Sequence, residues 1–329
     1  MRKLIVITMM AIAGTVLLAG GLLTPAFAEK LVMRLGSAYE PAHVQVKAAE
    51  VFKKLLEAKS NGEMEVQLFV GGVLGSEEEI SESLSLGGVE LHAVGGIPMK
   101  LYSPKYFFFD SPYVLKDWEH YKRVWASHLG QECREVIAKK GNTIFLGDVY
   151  RGVRQFTSNK PVYGPEDVQG MKLRLPQLPV FVKIWKAIGA LPVPVPLTEL
   201  FTSLQMGVAD ASEGDISQIY AFHLNEVQKY LTFTNHKVQC GWLTANKKWF
   251  DGLTQKQQDL IKAAAKESCD WGTRQILDKE VEMVVDMQRK GMTVCIPNAN
   301  AFREKAKATV EELFKTEWPV ATWEEILAM

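Results

Sequence analysis

The chain has 329 residues, 38 Lys and Arg against 38 Asp and Glu, and 47% hydrophobic side chains. Such a balance argues against nucleic-acid binding by bulk charge, which needs a marked basic excess. The length fills a core easily but exceeds what one compact unit usually holds, so two lobes are expected.

The first residues read as an export signal. Arg2 and Lys3 give a positive start, Leu4 to Leu23 form an uncharged and largely apolar run, and Pro25 interrupts it before Ala26-Phe27-Ala28. Small residues in that spacing suit a signal peptidase. Cleavage after Ala28 shortens 329 residues to 301, starting at Glu29, and takes the 38 basic side chains to 36 against 38 acidic ones. A retained anchor is the alternative, because the run is nearly as long as a spanning helix.

Alternation then gives way to helical spacing and back again. Leu31 to Gly36 alternates as a strand, and His43 to Ala58 carries Val46, Ala49, Phe52, Leu55 and Leu56 at helical spacing. Met64 to Val70 is the next strand, and Gly71-Gly72 turns the chain. Ser76 is placed to cap a helix that opens on Glu77, Glu78 and Glu79, acidic groups suited to its positive end. His92-Ala93-Val94, a helix around Trp118 to Lys139 and a strand Thr143 to Leu146 continue a βαβ pattern, the mark of a parallel sheet.

Short strands are expected at Val153 to Thr157 and Met171 to Leu175. Phe181 to Ile188 forms a helix stopped by Gly189, and Pro192, Pro194 and Pro196 hold the next stretch extended. Leu197 to Met206 is a short helix, and Ala209 to Glu213 leads into another near Ile216. Tyr230 to Trp242 is a long strand, either a lobe crossing or a hairpin arm. A helical tract runs from Gln255 to Lys290 and ends at Gly291. Thr293 to Ile296 and a helix from Ala299 to Phe314 complete the pattern.

Familiar catalytic signatures are missing from the sequence: it holds no GxSxG, no GxxxxGK[ST] and no HExxH. Glu77 and Glu79 could act as an acid and base pair, but a charged first helical turn serves capping as well. Six scattered histidines form no close ligand cluster, and neither a metal nor a cofactor is expected. Cys133, Cys240, Cys269 and Cys295 allow three complete disulfide pairings among which spacing does not choose.

Arginines carry the most chemical information. In Lys172-Leu173-Arg174-Leu175-Pro176, strand alternation sends the leucines to one side and Arg174 to the other, where a guanidinium can grip a carboxylate with two parallel donors. Arg151 and Arg154 lie in a second stretch, Tyr150 to Phe156. Two lobes can bring two such groups to one anion, although all three also suit surface or interdomain ion pairs.

Several segments, in order, resemble the substrate-binding subunits of tripartite ATP-independent periplasmic transporters, the branch of C4-dicarboxylate and sialic acid receptors. They are Gly72 to Glu77, Leu86 to Glu90, Gly152 to Pro161, Pro165 to Pro176, Ile188 to Pro194 and Leu204 to Asp210. The resemblance implies an α/β fold of two lobes, a central ligand cleft, hinge strands and a long helix spanning both lobes. It implies that Arg174 makes the main salt bridge to a ligand carboxylate and that Arg154 assists. Glu77, Glu213, Asp215, Gln239 and Trp242 complete the candidate ligand-binding set. The sialic acid receptors have an asparagine and a proline after the glutamate matching Glu213, where this chain has Gly214 and Asp215.

The expected organisation is a signal peptide at 1–28, the first part of lobe I at 29–150, the main part of lobe II at 151–235, and a hinge strand, spanning helix and C-terminal segments at 236–329. Hinge motion is expected near Thr234 and Val208. The resemblance implies a periplasmic receptor, not an enzyme, for a small carboxylate. Its implied partners are the small and large membrane subunits of an ion-gradient-driven transporter, with no nucleic acid. An ATP-driven importer's receptor and a secreted α/β enzyme acting on an organic acid are the alternatives.

Overall fold

A computed structural model describes residues 30–329, so the export segment lies outside the described residues. In chain order the elements are β1 (Leu31–Gly36), α1 (Val44–Lys59), β2 (Met64–Phe69), α2 (Glu77–Leu86), β3 (Leu91–Val94), α3 (Ile97–Tyr102), α4 (Trp118–Ala126), α5 (His128–Gly141), β4 (Thr143–Ser158) and β5 (Lys172–Leu175). They continue with α6 (Pro179–Ile188), β6 (Leu191–Pro194), α7 (Leu200–Gln205), β7 (Ala211–Asp215), α8 (Ile216–Ala221), β8 (Tyr230–Asn246), α9 (Lys247–Asp251), α10 (Gln255–Arg289), β9 (Thr293–Cys295), α11 (Ala299–Thr316) and α12 (Trp323–Ala328).

Local signals account for most boundaries. Ser76 accepts from the Glu79 amide while the Glu79 carboxylate accepts from Ser76, the reciprocal cap that starts α2. Thr254 and Gln257 start α10 in the same way. Gly189, with φ 118°, closes α6 in the left-handed conformation that glycine adopts most readily.

The nine described strands join in the order β2-β1-β3-β8-β4-β7-β5-β6, with β9 also on β8. Two long antiparallel strands, β4 and β8, are its spine. Their residues 143–150 and 240–246 pair beside β3, whereas 153–158 and 230–238 pair nearer β7 and β9. Each long strand therefore serves both α/β lobes and crosses between them. Tyr230 to Trp242 is a crossing strand, and it extends to Asn246. The two short strands expected at Thr143 to Leu146 and Val153 to Thr157 are one, interrupted by bulges between Phe145 and Gly147, Tyr150 and Val153, and Arg154 and Phe156.

The middle bulge sits at the crossing, where Gly152 takes φ 91° against Glu280 of α10. Extra residues at a bulge redirect side chains, here Arg151. The 35-residue α10 packs on α1, β4 and α8 and so lies across both lobes. None of the described helices is long and apolar enough to cross a membrane.

Other expectations need correction. Trp118 to Lys139 is two helices, because the chain bends at Ser127, whose extended backbone starts α5. Val208 is half exposed in the turn between α7 and β7, so it is no strand crossing. Sequence left the state of the four cysteines open, and all four are buried free thiols.

Candidate functional site

Polar side chains inside a core must find partners, and those at the β4–β8 crossing find them in a connected set. Arg154 donates through Nε and Nη2 to the two carboxylate oxygens of Glu213, at 2.5 and 2.6 Å, and Nη2 also reaches the Glu213 carbonyl at 3.0 Å. Its register explains the meeting. Arg154 pairs with Asp215 and Phe156 with Glu213, so antiparallel β4 and β7 bring the two side chains together.

His236 Nε2 lies 2.9 Å from Glu213 Oε2, and His236 Nδ1 lies 2.8 Å from the Thr234 hydroxyl. Burial holds His236 below its ordinary pKa in spite of Glu213. A neutral ring with its proton on Nε2 fits both contacts, donating to the carboxylate and accepting from Thr234. Burial alone would raise the Glu213 carboxyl, but Arg154 and His236 outweigh it and hold the group well below the carboxylate range.

Arg151 forms a second centre, wholly buried. Nη2 donates to Asp215 Oδ2 at 2.6 Å, and Nη1 donates to the Tyr39 hydroxyl at 2.7 Å and to Gln45 Oε1 at 3.0 Å. Its guanidinium also lies over the Tyr39 ring. The Tyr39 hydroxyl in turn donates a hydrogen bond to Glu77 Oε1 at 2.8 Å, which also accepts from the Gly95 amide at 2.9 Å. Asp215 caps α8 by accepting from the Gln218 amide at 3.0 Å. Burial disfavours the Arg151 charge, but Asp215, Tyr39 and Glu77 more than restore it.

Lys237 is the third buried cation, with Asp110 at 2.6 Å and Gln239 Oε1 at 2.5 Å. That same Gln239 oxygen accepts from Arg154 Nη1 at 3.3 Å.

Arg174 differs from all three. Leu173 and Leu175 are fully buried in the core, and Arg174 leaves the strand on the other side, as alternation predicts. Its Nε and Nη2 both go to the Val195 carbonyl, at 3.1 and 2.7 Å. Among the described residues no carboxylate lies within ion-pair distance of it, although only 1% of its surface is exposed. Burial pulls its pKa down to about 10, which Glu213 opposes at longer range and Arg154 reinforces.

The structure thus brings buried Arg154, Glu213, Gln239 and Asp215, with half-buried Glu77 at their edge, into one polar region whose charges act on Arg174 or on Arg151. Trp242 falls outside it. Its ring packs against Trp125 and Phe145, and its Nε1 donates to the Tyr121 hydroxyl at 3.2 Å. Since Trp242 pairs with Val94 and Asp148 in the part of the sheet beside β3, it belongs to the core. Sequence reasoning missed Tyr39, Gln45, Asp110 and Lys237. A lysine inside the buried run Tyr230 to Trp242 was the available signal, since such a charge needs a partner. Among the described residues no group of three or more His, Cys, Asp or Glu side chains is arranged to hold a metal ion.

The profile of the bacterial extracellular solute-binding protein family 7 matches residues 35–317. The chain belongs to that family. A solute-binding protein of Roseobacter denitrificans is 30% identical over 285 residues, 87% of each chain. The sialic acid-binding periplasmic protein SiaP of Vibrio cholerae is 29% identical, over 85% of this chain and 87% of its own. Among solved structures, a TRAP periplasmic solute-binding protein of Roseobacter denitrificans with bound L-galactonate has a TM-score of 0.84 at 29% identity, covering 91% of this chain and 99% of its own. Another, from Pseudomonas putida with bound D-glucuronate, has a TM-score of 0.82 at 27% identity, covering 91% and 97%. This family 7 member is a periplasmic solute-binding protein of the TRAP type, a family of binders rather than catalysts.

Proposed function

We propose that this receptor captures a small hydroxylated carboxylate, with Arg174 as its anchor, and hands it to the small and large membrane subunits of an ion-gradient-driven TRAP transporter. The observation that carries this reading is the environment of Arg174. A fixed, fully buried guanidinium that spends two donors on a single carbonyl still lacks a counter-charge, and an organic carboxylate supplies it. Arg154 assists through the field it adds, while its own donors stay with Glu213 and Gln239. Glu77, Asp215, Glu213 and Gln239 offer acceptors for hydroxyls.

Relatives support the ligand class. Their bound molecules include L-galactonate and D-glucuronate, and a Polaromonas relative at 25% identity holds D-erythronate. With the chain divided near residues 150 and 235, rotation of the lobes about β4 and β8 would bury the ligand.

The test is to purify the protein from periplasm without unfolding, release its ligand with acid, identify it by mass spectrometry, and titrate it back by calorimetry. A hydroxy acid binding one to one is expected. Recovery of a cation or an uncharged sugar that rebinds as tightly would overturn the reading.

A further inference from the structure

We propose that the site takes acids with a single carboxylate and rejects dicarboxylates, and that Asp215 and Glu77 set this preference. The proposal rests on the reading of Arg174 as the carboxylate anchor. Its basis is a charge inventory of the buried region.

Three of the four buried cations already have anions of their own. Arg151 is held by Asp215 at 2.6 Å, Arg154 by both oxygens of Glu213, and Lys237 by Asp110 at 2.6 Å. Of the four, Arg174 alone has no carboxylate within ion-pair distance among the described residues, and both its Nε and Nη2 go to the Val195 carbonyl. One ligand carboxylate therefore uses all the positive charge on offer.

Joined to Arg151 through the Tyr39 hydroxyl stands a negative group. The Glu77 carboxylate accepts from the Tyr39 hydroxyl and the Gly95 amide, and among the described residues it has no cation within ion-pair distance. Its charge reaches both Arg174 and Arg151. A hydroxyl or ammonium group can donate to it. A second carboxylate cannot, and would have to draw Arg151 from Asp215 or Lys237 from Asp110, leaving a buried carboxylate unpaired. By holding Arg151 at 2.6 Å, Asp215 keeps that guanidinium from serving a second acid group. Selection by an unfavourable group is as effective as selection by an attractive one.

Matched pairs of one carbon skeleton test this by calorimetry on the ligand-free protein: L-galactonate against galactarate, D-erythronate against meso-tartrate, and D-gluconate against D-glucarate. We expect the monocarboxylate of at least one pair to bind roughly a hundredfold tighter than its diacid. Glu77→Gln should narrow that ratio by about fivefold or more through tighter diacid binding, and this variant keeps the Arg151–Asp215 pair intact. A diacid within threefold of its monoacid, with both lost in Arg174→Ala, would overturn the selectivity and leave the anchor standing. Monoacid binding unchanged in Arg174→Ala would overturn the anchor itself. Failure of all six probes to bind would remove the hydroxy-acid reading and this inference with it.

Discussion

Partly buried Glu280 and wholly buried Arg174 each lack an opposite charge, and they resolve it differently. Glu280 lies on α10 against Gly152 at the β4 crossing, with Oε1 unpartnered. Burial, with Asp215 adding its repulsion, raises its carboxyl to about 7. A carboxyl in such a place can shed its charge by taking up a proton as pH falls through that value. Arg174 has no such exit, because burial brings it only to about 10 and it stays charged at neutral pH. What a proton does for the first group an external anion must do for the second. Between them, Arg151, Arg154 and Lys237 show the ordinary structural solution, a carboxylate built into the chain.

Breaking that ordinary solution should have the largest effect on stability. Arg151→Met leaves Asp215 buried without its cation and also strips Tyr39 and Gln45 of a donor. A loss of about 3–5 kcal/mol is expected, and thermal melts should show it as a fall of roughly 10 °C. A melt within 2 °C of wild type, by order of magnitude below 1 kcal/mol, would mean that Arg151 is not a structural centre.

A smaller effect sharpens the contrast. The Glu280 carboxyl moves from an ordinary 4.5 to about 7, so the folded chain keeps a proton that the unfolded chain releases between those values. Stability contributed by this group is therefore lost as pH rises through that window. Glu280→Gln should stabilise by about 1 to 2 kcal/mol at pH 8, allowing for its partly solvated position. The gain should vanish near pH 4. An equal gain at both pH values would assign the effect to packing.

Much of the architecture was legible because its signals are local. The alternation in Leu31 to Gly36, the Ser76 cap and the Gly189 stop each act within one turn or strand, and each lies where expected. The continuity of β4 was hidden because Gly147, Asp148, Arg151 and Gly152 break its alternation, and only long-range pairing with β8 carries the strand through its bulges. The same distinction holds for the site. Alternation around Pro176 singled out Arg174 from five residues of sequence. Which arginine would keep a spare charge was not readable, since Glu213 is 59 positions from Arg154 and Asp215 is 64 from Arg151. The core packing of Trp242 was hidden for a related reason: strand pattern gives a face, while its neighbours Trp125 and Phe145 come from separate elements.

The most direct test of Arg174 as the group completed by ligand is to measure affinity and ligand-free stability together in wild type and Arg174→Ala. Loss of the guanidinium should weaken binding of the identified acid by about 2–5 kcal/mol, roughly thirtyfold to several thousandfold. Its ligand-free melting temperature should match or exceed wild type, because a buried cation without a counter-ion is removed while Leu173 and Leu175 keep their packing. Affinity within threefold of wild type, together with a clear fall in melting temperature, would contradict the account and return Arg174 to a structural role.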